Sequence, residues 1–166
     1  MKSLKHPILA AMFSALTAAG AFLRIPAPGA PMTLQLFFTL CAGLLLGAKW
    51  GALSQILYLL VGLLGLPVFA MGGGFSYVLQ PSFGFLLGLV PAAYIAGLLR
   101  KKPVFACLGA WLALYAVGLP YLHFLTRPMP FLMTLKAGLL VFLPGDALKL
   151  LAACLLCPKV QKALRA

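Results

Sequence analysis

The 166-residue chain is 64% hydrophobic and only 8% charged, with a mean hydropathy of +1.10. A water-soluble domain of this size buries only about 70% of the surface that its unfolded chain exposes, so it could not hide so much apolar surface. The composition excludes a soluble enzyme, a disordered tail and a coiled coil. It predicts a single integral membrane domain over residues 1–166, with almost nothing outside the bilayer.

The charge is strongly unbalanced, because thirteen Lys and Arg accompany one acidic residue, Asp146, for a net charge of +12. In a soluble protein this balance would suggest nucleic-acid binding. Here the cations fall at the ends of apolar runs, as membrane topology requires, and no basic stripe with interleaved aromatic residues is present. We therefore expect contact with a lipid bilayer and no binding of nucleic acid.

Six apolar segments have about the length of a spanning helix, which needs about 20 residues. Their predicted bounds are 7–25, 33–48, 51–66, 81–99, 104–119 and 131–157. A proline-rich stretch at 26–31, a short turn at Lys49-Trp50, a glycine-containing loop at 67–80 and a loop at 120–130 separate them. Pro144-Gly145-Asp146 predicts a kinked or two-piece last helix. The predicted fold is an all-α bundle of six transmembrane helices.

The distribution of Lys and Arg predicts the orientation of this bundle. If both termini are cytoplasmic, nine cations lie inside, two (Arg24 and Arg127) lie outside, and Lys136 and Lys149 lie at membrane depth. The inner set is Lys2, Lys5, Lys49, Arg100, Lys101, Lys102, Lys159, Lys162 and Arg165. The asymmetry favours an even number of spans and places loops 26–33 and 67–80 together on the outer side.

Asp146 is the most informative residue, because a carboxylate inside a span costs at least ~2.5 kcal/mol and needs a partner or a task. Lys149 follows three residues later and shares its helical face. Two compatible interpretations remain. The two residues form a structural ion pair, or they form a polar ligand site near the outer face, in which Asp146 accepts hydrogen bonds and Lys149 donates them.

The residues that catalysis needs are missing from the sequence. One carboxylate cannot form an acid pair, and the two histidines, His6 and His123, lie far from it in the chain. The glycine run 72–74 is not followed by Gly-Lys-Ser/Thr, so it is not a phosphate loop. We expect no catalytic residue, metal or cofactor. Uphill transport would draw its energy from another subunit or from an ion gradient.

Two further patterns each leave two interpretations open. Ala11, Ala15 and Ala19 form one small-residue ridge on the first helix, beside a second ridge of Ala10, Ser14 and Ala18, and such ridges serve internal packing or the docking of a partner. The loop 67–80 carries Phe69 and Tyr77, which predict either an aromatic lid over a site or residues of the membrane interface.

Several stretches resemble the BioY family. They are MTLQLFF at 32–38, GLLLGAKWGALS at 43–54, YLLVG at 58–62, GLPVFA at 65–70 and Pro144-Gly145-Asp146 with Lys149 and the closing Pro158-Lys159. These stretches are collinear and cover nearly the whole chain. BioY proteins are the biotin-specific substrate-binding (S) components of energy-coupling factor (ECF) transporters. One departure is PSFGF at 81–85, where the family usually has Pro-Thr-Gly-Gly-Tyr.

The resemblance implies an S component in a bacterial or archaeal plasma membrane. It implies six helices, capture of biotin from outside, and association with a transmembrane coupling subunit and two cytoplasmic ATPases. The ridge of Ala11, Ala15 and Ala19 would meet the coupling subunit. The Asp and Lys of the last helix contact the ligand in this family, and they correspond to Asp146 and Lys149.

The chemistry of biotin is compatible with these residues. Asp146 can accept from the ureido N–H groups, and Lys149 can donate to the ureido carbonyl or to the carboxylate tail. Arg24 is a candidate for the carboxylate or an interfacial anchor, and Phe69 and Tyr77 could enclose the rings. Three alternatives remain, namely an S component for another vitamin such as thiamine or riboflavin, an intramembrane enzyme, and a structural scaffold.

Overall fold

The computed structural model describes residues 4–26 and 31–163, and over these ranges the chain is a helical bundle. Two short strands, β1 (Arg24–Ile25) and β2 (Met32–Thr33), pair antiparallel. A 3₁₀ turn covers Phe75–Leu79 and a π-helical segment covers Lys136–Leu140. The α-helices are α1 (Lys5–Phe22), α2 (Gln35–Leu46), α3 (Ala48–Leu63), α4 (Phe83–Leu98), α5 (Pro103–Leu125), α6 (Phe131–Leu135) and α7 (Leu143–Ala163).

The first four predicted helices are confirmed, with ends within three residues of those expected. The boundary between α2 and α3 differs, because it lies at Gly47 rather than at the predicted turn of Lys49 and Trp50. Gly47 has a φ of 87°, which glycine adopts without the steric cost that a side chain brings. Lys49 and Trp50 lie in the first turn of α3.

The predicted end of the fifth helix at residue 119 is wrong, because α5 continues through Pro120 to Leu125. Proline inside an apolar helix is tolerated where neighbouring groups satisfy the freed carbonyl. By length and hydropathy alone, α5 is the one continuous helix of the described ranges that could cross a bilayer. The pair α6 and α7, with a bend of 42° between them, passes as a second span. Helices α2, α3 and α4 are apolar but shorter.

The two-piece form of the last apolar region is confirmed, but the break lies a few residues earlier than predicted. Helix α7 begins at Leu143, so Pro144 falls in its first turn, where the missing N–H of proline leaves no helical hydrogen bond unmade. Asp146 also lies in this first turn. A carboxylate is stabilised there by the partial positive charge of the helix N-terminus.

Glycines allow the helices to pack closely around α4. A Cβ on Gly43 of α2 would overlap the backbone of α4 at Ala93, and a Cβ on Gly97 of α4 would overlap Ala48. A Cβ on Gly84 would meet the Tyr121 side chain of α5. These glycines are internal packing residues.

The two small-residue ridges of α1 have different environments. Ala10 and Ser14 are buried, whereas Ala11, Ala15 and Ala19 are exposed. The interpretation as internal packing is therefore wrong for the ridge of Ala11, Ala15 and Ala19, which lies on the outside of the bundle.

The cysteines of the Cys154-x-x-Cys157 motif contact different helices rather than each other. The Sγ atoms of Cys157 and Cys41 lie 3.4 Å apart, and the Cys154 thiol donates to the Pro103 carbonyl at 3.4 Å. All of these thiols are free. The motif therefore packs α7 against α2 and α5.

Candidate ligand-binding site

Asp146 is held by three donors from two helices. The Lys149 ammonium donates to its Oδ1 at 2.9 Å, the Tyr115 hydroxyl donates to its Oδ2 at 2.6 Å, and the Trp111 indole N–H donates to the same oxygen at 3.2 Å. Asp146 is 4% exposed and Lys149 is 8% exposed. Because a buried ion pair persists only where further hydrogen bonds satisfy it, the two donors from α5 explain how this pair is stabilised.

The ion pair lines a cavity of about 70 Å³ near the start of α2, β2 and α7. The wall is mainly apolar with a few polar groups, which is the composition of small-molecule sites. The lining residues are Pro31, Thr33, Gln35, Leu36, Ala70, Tyr77, Ser82, Phe85, Leu86, Leu89, Leu114, Tyr115, Phe142, Asp146 and Lys149. The structural and the ligand-site interpretations of Asp146 and Lys149 are therefore compatible in space.

A chain of hydrogen bonds runs through the part of the cavity wall that contains Gln35. The Thr33 hydroxyl donates to the Gln35 Oε1 at 2.7 Å, and the Gln35 Nε2 donates to the Tyr58 hydroxyl at 2.7 Å. The Tyr58 hydroxyl in turn donates to the Val68 carbonyl at 3.0 Å. Both ends of the Gln35 amide are thus engaged, and the chain ties α2 and α3 to the loop that follows α3.

The two aromatic residues predicted to enclose a ligand have different positions. Tyr77 lines the cavity, whereas Phe69 is 1% exposed and lies behind the wall. The Phe69 ring packs on Gly62, with ring-centroid distances of 5.5 Å to Tyr58 and 4.7 Å to Tyr77. Phe69 therefore supports Tyr77 from behind, and Tyr77 is the one of the two that faces the cavity.

Arg24 lies outside this cavity. Its exposed guanidinium donates to the carbonyl of Ala70, which links β1 to the loop after α3. It lines a separate outer groove of about 740 Å³ between β1, β2 and α7. Thr33 and Lys149 line both spaces, so the groove and the cavity share a wall.

Sequence reasoning missed the contributions of Gln35, Ser82, Trp111 and Tyr115. Trp111 and Tyr115 are four residues apart on α5, so their polar tips share one face, a signal that the sequence does contain. Gln35 and Ser82 interrupt apolar runs at the starts of α2 and α4, where polar residues also serve as ordinary helix caps.

The fold is a bundle of apolar helices around a small cavity with a few polar groups in its wall, which is the class of a helical protein with a candidate small-molecule site. The BioY family model matches residues 1–166, the whole chain. The chain therefore belongs to the BioY family.

Individual relatives agree with this assignment. The chain is 46% identical over 124 residues to the "Probable biotin transporter BioY" of Lysinibacillus sphaericus, a match that covers 70% of the chain and 63% of that relative. It is 35% identical over 166 residues to the biotin transporter BioY of Thermotoga maritima, covering 96% of this chain and 97% of the other.

A solved structure has the same fold. The crystal structure of the S-component for biotin from an ECF-type ABC transporter superposes with a TM-score of 0.86, at 27% identity, covering 97% of this chain and 93% of that one. The predicted resemblance to BioY is confirmed. The chain belongs to a family of transporter components and is not an enzyme, so the intramembrane-enzyme alternative is wrong.

Proposed function

We propose that the chain captures biotin in the cavity around Asp146 and Lys149, as the substrate-binding subunit of an ECF-type transporter. The observation that carries the proposal is a buried pair of opposite charges in the wall of a mainly apolar cavity, in a member of the BioY family. Intramembrane charges are costly, so their position beside a cavity favours a role in binding.

The donor and acceptor capacity of the pair matches the ureido ring. A carboxylate has about four lone-pair sites, and the three donors on Asp146 leave one for a ureido N–H. The Lys149 ammonium has three donors. Because one of them is used on Asp146, the others remain for the ureido carbonyl. Tyr77 and the apolar wall would contact the rings, with Phe69 as the support of Tyr77.

The size of the cavity implies that its walls separate when the ligand enters. Small-molecule pockets measure about 300–1,000 Å³, several times the 70 Å³ of this cavity. The loop after α3 is the wall best suited to move, because it contributes Ala70 and Tyr77 and contains no long helix. Arg24 holds this loop at Ala70 and lies in the open groove. Arg24 would therefore contact the carboxylate of a ligand that is entering through the groove, and not the carboxylate of a ligand enclosed in the cavity.

We further propose six spans with both termini in the cytoplasm, counting α6 and α7 as one bent span. Contacts at one end of the bundle support this count. The His6 and Trp50 rings stack at 5.7 Å, Arg100 lies beside Gly47, and the Gln161 amide donates to the Leu44 carbonyl. The N-terminal end of α1, the α2–α3 turn, the end of α4 and the end of α7 therefore meet on one side. Seven of the nine cations expected in the cytoplasm belong to these ends of the described helices, which supports the proposed orientation. The other two, Lys2 and Arg165, lie outside the described residues.

The exposed ridge of Ala11, Ala15 and Ala19 is the surface that we propose for a transmembrane coupling subunit. Small residues let a partner helix approach closely in a bilayer, where no hydrophobic force drives association. Two cytoplasmic ATPases complete the proposed assembly, which would act in the plasma membrane of a bacterium or archaeon. The ATPases would supply the energy for uptake, because the glycine run of this chain is not a phosphate loop.

Equilibrium binding of labelled biotin to the purified chain in lipid nanodiscs tests the proposal. We expect saturable binding that excess unlabelled biotin abolishes and that excess thiamine or riboflavin leaves unchanged. Displacement by either of these vitamins would instead show an S component of different specificity. Retention of a partner protein without binding of any vitamin would show a scaffold.

A pair of lysine variants localises the binding. Lys149→Gln should lose most of the affinity, because it replaces the charged ammonium in the cavity wall by a shorter, neutral amide. Lys136→Gln changes an exposed lysine in the π-helical segment and should leave the affinity for biotin unchanged. Equal affinity in both variants would contradict the proposed site.

A further inference from the structure

One buried polar group in the cavity wall lacks a partner. Of the buried side-chain nitrogen and oxygen atoms in residues 4–26 and 31–163, the Ser82 Oγ is the one without a hydrogen bond. Ser82 is 8% exposed and lines the same cavity as Asp146 and Lys149. An unpaired buried hydroxyl destabilises a protein, so its position at a cavity indicates a partner that comes from outside the chain.

The position of Ser82 in the helix makes the missing bond more informative. Ser82 is the N-cap residue of α4, a position at which serine normally accepts a hydrogen bond from a backbone N–H of the first turn. The Ser82 side chain makes no such bond. The hydroxyl therefore lacks the local partner that its position usually provides.

The first two turns of α4 adjoin the cavity through Ser82, Phe85, Leu86 and Leu89. The N-terminus of this 16-residue helix therefore lies at the cavity, where its partial positive charge favours an anion. In the part of the wall that α7 contributes, the Asp146 carboxylate repels a second anion, and the Lys149 charge is already paired with it. The cavity thus has two polar regions: Asp146 accepts hydrogen bonds from donor groups of a ligand, and the N-terminus of α4 favours an anionic group.

We propose that the Ser82 hydroxyl donates a hydrogen bond to the carboxylate of the bound ligand, at the N-terminus of α4. The inference deepens the proposed function and rests on it. It assigns the two polar ends of biotin to two walls, with the ureido ring at Asp146 and the carboxylate at Ser82. Ser82 then contributes to specificity for a ligand with an acidic tail.

The test compares biotin with biotin methyl ester on the purified chain and on Ser82→Ala. We expect Ser82→Ala to bind biotin about tenfold to a hundredfold more weakly, because it loses a hydrogen bond to a charged acceptor. Affinity for the neutral ester should fall clearly less than that for biotin, by at most about tenfold, because the ester carbonyl accepts only a neutral hydrogen bond. Ser82→Thr keeps a hydroxyl and should retain most of the affinity for biotin.

Two controls separate this role from a structural one. Ser76→Ala removes an exposed serine from the 3₁₀ turn and should change neither affinity. The melting temperature of ligand-free Ser82→Ala should stay the same or rise, because the lost hydroxyl has no partner in the protein.

Each contrary outcome is distinct. Unchanged biotin affinity in Ser82→Ala would overturn the contact, and an equal loss for biotin and its ester would overturn the assignment to the carboxylate. A lower melting temperature of the ligand-free variant would show that Ser82 is a helix cap instead. Failure of the unmodified chain to bind biotin would overturn the proposed function and this inference together.

Discussion

Two clusters of buried polar residues lie in this apolar bundle, and they differ in charge and surroundings. The outer cluster contains Asp146 and Lys149 with their α5 donors, and it lines the cavity. The deep cluster is neutral and joins α1, α2 and α3. In it the Gln55 Nε2 donates to Thr17 at 3.3 Å and to Ser54 at 3.0 Å, and the Thr39 hydroxyl donates to the Gln55 Oε1 at 3.1 Å.

The comparison shows that burial of polar groups does not by itself indicate a ligand site. The deep cluster is completely buried, and it does not contribute to the wall of the cavity or of the outer groove. Its hydrogen bonds are made within the protein, which is the arrangement of a structural network. The outer cluster differs because it is charged and lines a cavity, and the unpaired Ser82 hydroxyl lies in the wall of that same cavity.

The largest effect is expected from Asp146→Asn. This change should weaken biotin binding more than about a hundredfold and lower the free energy of unfolding by about 3–5 kcal/mol, because Lys149 is left buried without a counter-charge. Titration with labelled biotin and thermal unfolding in nanodiscs measure the two effects.

The double variant Asp146→Leu/Lys149→Met separates folding from binding. It replaces both charges by apolar side chains, so stability should recover in part while binding stays lost. The recovery is partial because Tyr115 and Trp111 lose their acceptor. Wild-type affinity in either variant would remove the distinction between the two clusters.

The next largest effect is expected in the deep cluster, and there only on stability. Gln55→Leu should lower the free energy of unfolding by about 1–3 kcal/mol, because Thr17, Thr39 and Ser54 each lose a hydrogen bond. Biotin affinity of the folded protein should change by less than about threefold. A large loss of affinity at unchanged stability would show that the deep cluster also serves binding.

Tyr115→Phe tests the support of Asp146. Loss of the 2.6 Å hydrogen bond should weaken biotin binding about tenfold, because the carboxylate is then less firmly oriented. Tyr94→Phe, which changes an exposed tyrosine of α4, is the matched control. Equal affinities in the two variants would show that Tyr115 does not position Asp146.

The smallest effect is expected at Tyr58, whose hydroxyl joins Gln35 to the Val68 carbonyl. Tyr58→Phe keeps the ring packed against Phe69, so the cost should be about 1 kcal/mol in stability. Biotin affinity should change by less than about threefold. A greater loss of affinity would place this hydrogen-bond chain with the ligand site rather than with the scaffold.

Hydropathy predicts the helices because each apolar run is bounded by proline, glycine or cations. It fails at residue 120, where a proline interpreted as a helix end lies inside α5. Apolar helices of membrane proteins tolerate an internal proline more often than soluble helices do, so proline is a weaker end signal here. It also misplaces the break before α7. The chain bends at Val141 and Phe142, two apolar residues that carry no local turn signal.

The ion pair could be predicted because Asp146 and Lys149 are close in sequence and share a helical face. The donors Trp111 and Tyr115 come from a different helix, so their contact with Asp146 depends on tertiary packing. The sequence also cannot distinguish Phe69 from Tyr77. Their orientations follow from a loop whose glycines 65, 72 and 74 adopt φ of 110°, 124° and 99°.

The short helices make bilayer thickness a variable that acts on this protein. Helices α3 and α4 have 16 residues each, and at 1.5 Å per residue they rise about 24 Å. The hydrocarbon core of a typical bilayer is about 30 Å thick, so in the proposed six-span arrangement the acyl chains beside exposed leucines such as Leu53 and Leu87 would compress locally. The 23 residues of α5 rise about 35 Å and impose no such compression. Lipid deformation should therefore be uneven around the bundle, and lipids with shorter acyl chains should accumulate along its α3–α4 side.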